Sequence, residues 1–460
     1  MDSQLIETAQ WAEKNFGECQ LGDRRRTKRL VKYAAQAAAG SEASTPGQTE
    51  SWADCKAAYR LFDEDDVSFE AICRPHWNHS TSRESGLFLL IGDTTEIDFG
   101  YDPAVTGLAP IGSGNHRGFH LHSSLMIEAE TEQVIGLAGS EIFHRQPQPK
   151  REKTREKKNR ARESEVWGRV IDQVGRPAGT ARFIHVLDAG ADNYEVFCHL
   201  KQQEAGWVVR ASQKHRMVLD GRGQRRQLSE LLESAPAAGR YTLSLRSRKN
   251  QPAREALLEV RFVRLEMPIP TQPTPFMKAC GIKTIPMYAL QVREIDPPAG
   301  VEPLDWILLT SEPLESFDDA WKVIGYYEKR WCVEDYHKCL KTGCRVESRQ
   351  YKTSARLERV TGVLSVVAVR LLQLKFAARC EPSPPAEETV PPVWIEVLQR
   401  VRGIARPLET ARDFLREVAK LGGFLGRKSD GEPGWITIWR GMNKLILCLR
   451  GAGWAYNKCG

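Results

Sequence analysis

The chain reads as an α/β protein with a core interrupted by an inserted antiparallel β region and flanked by helical units at both ends. Three observations point there. Strand-like apolar runs alternate with helical stretches between about residues 69 and 200. Short alternating segments separated by turn residues and prolines follow, up to about residue 310. Helical periodicity dominates the outer parts. Strands followed by helices imply an α/β core. Composition agrees: 460 residues, 41% hydrophobic and 27% charged, is an ordinary globular make-up that excludes disorder as the main state. At roughly 100–200 residues per domain, about two to four domains are expected.

Taken in order, residues 1–68 form a small helical unit, with Ile6, Trp11 and Phe16 and then Leu30, Val31, Ala34, Ala35 and Ala38 on apolar faces. A Ser/Thr/Gly/Pro-rich loop at 41–51 precedes a third helix through Ala57, Tyr59, Arg60 and Phe62. Residues 69–376 form the core. Leu87-Phe-Leu-Leu-Ile91 is a strand that ends at Gly92-Asp93. The runs 121–129 and 134–137 are the next two strands of a meander. Phe183-Ile-His-Val-Leu187 ends in Asp188. Residues of about 205–310 form the insertion. From 316 to 374 the pattern is helical again, and 360–374 is apolar enough to be core. The segment 381–392 is a polar, Pro-rich linker, and residues 377–460 end in a helical unit holding Trp394, Leu398, Phe414, Trp435, Trp439 and Leu445.

The net charge of +7 does not by itself indicate nucleic acid. Its distribution says more: basic clusters recur at 24–29, 150–162, 214–226 and 246–254. Such a pattern suits a surface that tracks phosphates, and equally a set of solvated loops. The longest uncharged apolar stretch, 363–369, stops at Arg370, far short of the roughly 20 residues that span a bilayer. No membrane association is expected. The N-terminus lacks a basic head and apolar core, so a cytoplasmic location with reduced thiols is the expectation for the eleven Cys. Cys332, Cys339 and Cys344 are the one close group and leave a zinc site open. His116, His120 and His122 alternate, as on a strand with one polar face or among metal ligands.

Asp93 and Asp188 each follow an apolar strand of about five residues, and ligands bind at the C-terminal ends of strands in open α/β sheets. Two carboxylates on neighbouring strand ends suit Mg²⁺, a hard cation that takes oxygen ligands. A strand-terminal Asp is also an ordinary turn or cap residue. Tyr327, Arg330, Glu334 and Lys341 add a third element. On a continuous helix they fall within an arc of about 60° over about 21 Å, close to the width of a duplex. A charged outer face of an amphipathic helix has the same spacing.

These stretches resemble the IS4-type transposases, closest to the Tn5 transposase group. The resemblance covers nearly the whole chain. It is carried by Leu21-Gly-Asp-Arg-Arg-Arg-Thr-Lys-Arg-Leu30, Lys56-Ala-Ala-Tyr-Arg60, Gly92-Asp-Thr-Thr95, Val186-Leu-Asp-Ala-Gly-Ala-Asp192, Trp306-Ile-Leu-Leu-Thr-Ser-Glu-Pro313, the Tyr-x2-Arg-x3-Glu-x6-Lys pattern from Tyr327 to Lys341, the apolar run 364–374 and Leu421-Gly-Gly-Phe424. The resemblance implies an RNase H-like catalytic core with the β region inserted before the last catalytic helix. It implies Asp93, Asp188 and Glu334 as a DDE triad binding two Mg²⁺, with Mn²⁺ as substitute. It implies Tyr327, Arg330 and Lys341 on end-DNA phosphates, Trp306 stacked on a flipped base, and Arg210 on DNA from the insertion. Arg25, Arg26, Arg29 and Arg60 would belong to an end-binding N-terminal domain, and the C-terminal unit would mediate a homodimer on DNA. The implied partners are transposon-end and target DNA. The chain departs from the pattern two positions after Arg210, where a basic residue is replaced by Ser212, with Lys214 following. Three alternatives remain at this level: a catalytically inactive transposase-derived DNA-binding regulator, a metal-dependent nuclease that never joins strands, and a zinc hydrolase built on the three histidines.

Overall fold

A computed structural model of the chain describes residues 8–112, 114–145, 162–245, 252–377, 382–427 and 430–456. The basic run from Lys150 therefore lies outside the described residues up to Ala161, as do Arg246, Arg248 and Lys249 of the last basic cluster.

One twelve-stranded sheet organises the molecule. Its strands are β1 (Leu87–Asp98), β2 (Ala109–Pro110), β3 (Arg117–Glu128), β4 (Val134–Phe143), β5 (Arg182–Leu187), β6 (Gly206–Arg210), β7 (Met217–Leu219), β8 (Arg225–Gln227), β9 (Ala237–Leu245), β10 (Arg254–Pro268), β11 (Thr284–Glu294) and β12 (Asp305–Thr310). The order β4-β3-β1 is antiparallel, and β5 and β6 then join β1 in parallel. Three antiparallel strands followed by two parallel ones is the RNase H-like order that the resemblance implies.

The antiparallel insertion is not a body apart. β12 pairs with the free edge of β6, and β11, β10, β7 and β8 carry the same sheet outward. β6 falls inside the range read as insertion, yet it runs parallel to β5 and completes the core. Its chemistry explains this: Trp207, Val208 and Val209 are all buried, the near-continuous apolar run of a strand covered on both faces. β3 differs from its expectation for the same reason. His120 and His122 are buried along with their neighbours on both faces, so the histidines do not line a polar face.

Helices cover the sheet. Glu165–Val174 packs on β3 and β4, and Ser354–Ala377 packs on β4 and on the Phe69–Thr81 helix. The 354–377 helix buries Val360, Val363, Leu364, Val366 and Val367, each contributing ~1.5–3 kcal/mol relative to exposure. The N-terminal unit contains Thr8–Phe16, Arg24–Ala39, Thr45–Gln48 and Trp52–Leu61. Asp23 starts the second of these by accepting the Arg25 amide, a standard N-cap bond. This unit is fixed to the core through Arg349, whose guanidinium donates to the carbonyls of Ser41, Ala43 and Cys344.

Two stretches read from sequence come out differently. The segment from 382 to 392 is docked rather than a free linker: Ala386 and Val390 are buried, and its backbone bonds to Glu409 and Ala411. The helix carrying Tyr327 to Lys341 is broken. Phe317–Glu328, started by a Ser316/Asp319 capping box, closes with short-range bonds from Lys329 to Tyr326 and Arg330 to Tyr327. A second helix, Trp331–Lys338, then widens into a π turn over Cys339–Gly343. A tight turn and a wide turn each change the angular register of the residues beyond them, so the four residues do not share one straight face.

Candidate active site

Strand register places the first two carboxylates side by side. β1 and β5 pair in parallel from Leu87↔Arg182 to Gly92↔Leu187. Asp93 and Asp188 are therefore the next residues on adjacent strands. β1 does not stop there: it continues to Asp98 against β3, while β5 turns away into a 3-10 helix at Ala189–Ala191. Gly92 makes the junction possible. A Cβ at that position would lie 2.7 Å from a Leu187 methyl and 3.2 Å from the Trp167 ring.

Glu334 reaches the same place from the Trp331–Lys338 helix, which packs on β1 and β3. Arg330 bridges the carboxylates, with Nη2 2.8 Å from Glu334 and Nη1 3.5 Å from Asp93. Tyr327 is half-buried, and its hydroxyl pKa is raised by burial, with Arg330 and Arg210 opposing the rise and Asp188 adding to it. These six residues form one electrostatic unit. Burial works against the Arg330 charge, but the Glu334 bond, Tyr327 and Asp93 outweigh it and raise its pKa.

Asp93 carries the cost of this crowding. Burial, with the charges of Asp188 and Glu334, pushes its carboxyl from 3.8 to about 6, against the Thr94 amide bond and Arg330. The folded state thus holds this proton more tightly than the unfolded chain, and stability is lost as pH rises from about 4 to about 6. The side chain is 18% exposed, so screening by solvent is limited. Asp93→Asn is expected to stabilise the DNA-free protein by ~3 kcal/mol at pH 7.5 and by about half of that at pH 5. Urea unfolding at the two pH values checks this; an equal gain at both would remove Asp93 as the titrating group.

The remaining expected site residues are dispersed. Lys341 lies on the π turn and pairs with Glu347 at 3.3 Å, while Glu347 accepts the Asp98 amide at the far end of β1. Trp306 is half-buried on β12 opposite Val292, next to Leu308 across from Arg210, which stays exposed at the end of β6 within reach of Tyr327. In the N-terminal unit Arg29 and Arg60 are exposed. Arg25 is exposed but pairs with Asp23 at 2.8 Å. Arg26 is committed internally, to the Leu21 carbonyl, Asp66 and Glu64.

Sequence reading passed over Asp192, although it stands four residues after Asp188 within a motif already singled out. Its carboxylate is fully buried and accepts three donors from the segment after β6.

Among the described residues, no three His, Cys, Asp or Glu side chains converge closely enough to enclose a metal ion by themselves. This holds for the carboxylates as well as for the other two candidate sets. His122 is buried against Trp167 with Nδ1 2.8 Å from the Thr94 hydroxyl. Burial takes its pKa down to about 3. The Cys332 and Cys344 thiols are pushed by burial up to about 11 and about 12, where the thiolate that zinc needs is scarce. The carboxylates are different. Their oxygens are the hard donors that divalent cations take, and the Asp93 carboxyl is raised first by burial and then by the charges of Asp188 and Glu334.

An RNase H-like sheet with carboxylates at two adjacent strand ends and a third on the Trp331–Lys338 helix packed against it fits the class of DDE transposases. Comparison with known families agrees along the chain. Residues 8–67 match a transposase DNA-binding family, 152–367 a transposase DDE domain, and 366–460 a Tn5 transposase dimerisation domain. The chain belongs with the Tn5-like transposases of the IS4 family. The DDE match includes Asp188 and Glu334 and begins after Asp93, which stands beside Asp188 through the β1–β5 register and is linked to Glu334 through Arg330. DNA partners and dimer formation follow from the matched domains, and this family generally uses divalent metals. Among the described residues, no helix is long and apolar enough to cross a membrane.

Proposed function

We propose that the chain is a cut-and-paste transposase that excises its element through a hairpin on the transposon end and joins the freed 3′ ends to target DNA. The observation that carries this reading is Arg330 set between Asp93 and Glu334, with Asp188 beside Asp93 on the adjacent strand, in a chain with a DNA-binding, DDE and dimerisation order of domains.

The three carboxylates would hold two divalent ions, which supply countercharge and an acidified water at the scissile phosphodiester. The reaction then proceeds as four displacements at phosphorus. Water's oxygen bonds to phosphorus as the transposon 3′ oxygen leaves and takes a proton. That 3′-hydroxyl next bonds to phosphorus of the opposite strand, releasing flanking DNA and closing a hairpin. Water reopens the hairpin, and the 3′-hydroxyl finally attacks target DNA. Arg330 can grip a phosphate bidentately and Lys341 as a point charge. Tyr327 stands between Arg330 and Arg210 and would join them on the DNA backbone. Arg29 and Arg60 are the exposed candidates for end recognition, with Arg25 beside them and Arg26 supporting the domain. The half-buried Trp306 can take a base flipped from the stack.

The test is a cleavage gel with a linear duplex carrying the terminal inverted repeat of the element, in Mg²⁺ or EDTA. Metal-dependent nicks and hairpins at the element boundary support the reading. Binding without cleavage in Mg²⁺ or Mn²⁺ replaces it with the inactive DNA-binding regulator. In the same assay Trp306→Ala should slow hairpin formation relative to the first nick. Stacking worth ~1–3 kcal/mol corresponds to about 5- to 150-fold. Equal slowing of both steps would place Trp306 outside base stacking.

A further inference from the structure

The segment 211–216, directly after β6, is held between two parts of the candidate site, Ser212 and Arg216 on one and Lys214 on the other. On one side lies Asp192, the residue that closes the short helix after Asp188. Asp192 has no exposed side-chain surface. Its Oδ2 accepts the Ser212 amide at 2.6 Å, the Ser212 hydroxyl at 3.0 Å, and the Arg216 guanidinium. Arg216 is itself nearly buried and also meets Met267 Sδ. On the other side lies Asp305, the residue before Trp306. Its Oδ2 accepts Lys214 Nζ at 2.6 Å, and its Oδ1 accepts the buried Gln291 amide at 2.9 Å. Backbone bonds from Ala211 to Ile307 and from Ser229 to Lys214 brace the segment between them.

We propose that Asp192 and Lys214 make residues 211–216 an internal strut that sets the spacing between the Asp188 turn and the Trp306 strand, so that both act as positioning residues rather than as DNA ligands. The proposal rests on the hairpin reading above. It also gives a use to the departure at Ser212. Serine is short enough to fold back, and its amide and hydroxyl both close on Asp192. Lys214 has the charge to contact DNA and is 43% exposed, yet its ammonium is committed to Asp305.

The two ends of the strut predict different phenotypes. Asp192→Asn keeps an acceptor for Ser212 but strips Arg216 of its countercharge, loosening the Asp188 turn. It should slow nicking and hairpin formation alike, with unchanged end affinity. Lys214→Met frees only the Trp306 side. It should slow hairpin formation roughly 3- to 10-fold relative to the nick, as a modest misplacement does. Asp305→Asn should match it, and the double variant should be no slower than either single one.

A phosphate contact behaves otherwise. If Lys214 were a DNA ligand, Lys214→Met would lower the slope of log affinity against log salt by about one, and Asp305→Asn would leave the hairpin step untouched. That result overturns the strut. If the wild-type protein makes no hairpin at all, the functional reading fails on its own. The strut is then decided by the salt slope and by urea unfolding of the Lys214→Met/Asp305→Asn cycle, in which additive effects overturn it and coupled effects uphold it.

Discussion

Glu334→Gln is expected to reduce strand cleavage by roughly 10³-fold or more, the scale on which loss of one member of a cooperating catalytic set acts, while end binding stays within about 2-fold. Glutamine keeps the shape and removes the charge. A carboxylate next to DNA phosphates opposes binding, so its neutralisation leaves affinity unchanged or slightly improved. Arg330 exchanges its 2.8 Å carboxylate partner for a neutral amide oxygen and retains Asp93, and the helix keeps its packing through Val333 and Tyr336, both fully buried. Cleavage gels and mobility shifts on the same preparation separate the two effects. A matching fall in binding and cleavage would make Glu334 a structural residue.

Gly441→Ala is expected to disable pairing of two ends while leaving single-end binding in place. The helices Ala411–Leu421 and Trp435–Tyr456 cross where two glycines let their backbones touch. A Cβ on Gly441 would lie 1.7 Å from the Val418 carbonyl oxygen, and one on Gly422 would lie 1.9 Å from that of Thr437. Neither backbone can yield without parting Phe414, Leu415 and Val418 from Ile438, Met442 and Leu445. Overpacking of this kind costs ~1–3 kcal/mol where the core can adjust, and more where backbone is in the way. The matched dimerisation domain spans this unit, so paired-end complexes should vanish in sedimentation or gel analysis at concentrations where the wild type forms them. Gly451→Ala is the control. A Cβ there meets nothing within 4 Å, and on the same helix an alanine should be neutral or stabilising by up to ~1 kcal/mol. Equal loss at both positions would point to the helix itself rather than to the crossing.

Much of the molecule was legible along the chain because its determinants are local. Apolar runs of strand length and the apolar 360–374 stretch depend on residues a few positions apart, and each produced the expected element. The Arg25, Arg26 and Arg29 cluster was legible as charge only. Its residues look alike in sequence, yet Arg26 meets Glu64 and Asp66 about forty residues away, while Arg29 remains exposed. The same limit applies to the Tyr327–Lys341 stretch. Its spacing fits one straight helix, but packing against β1 and β3 favours a break at Lys329–Arg330 and a π turn before Cys344, and no periodic pattern records that choice.

By itself, the sequence determined which residues have the right chemistry: acidic groups after apolar strands, a Tyr-Arg-Glu-Lys pattern, basic residues at the N-terminal end. Those are properties of side chains and of near neighbours. Tertiary structure alone decided which of them meet. Parallel register put Asp93 beside Asp188, the broken helix brought Arg330 onto Asp93 and Glu334 but left Lys341 with Glu347, and the fold-back at Ser212 joined Asp192 to the strand of Trp306. These pairings depend on the free energy of burying whole elements against one another, a quantity summed over the core and not written at any single position.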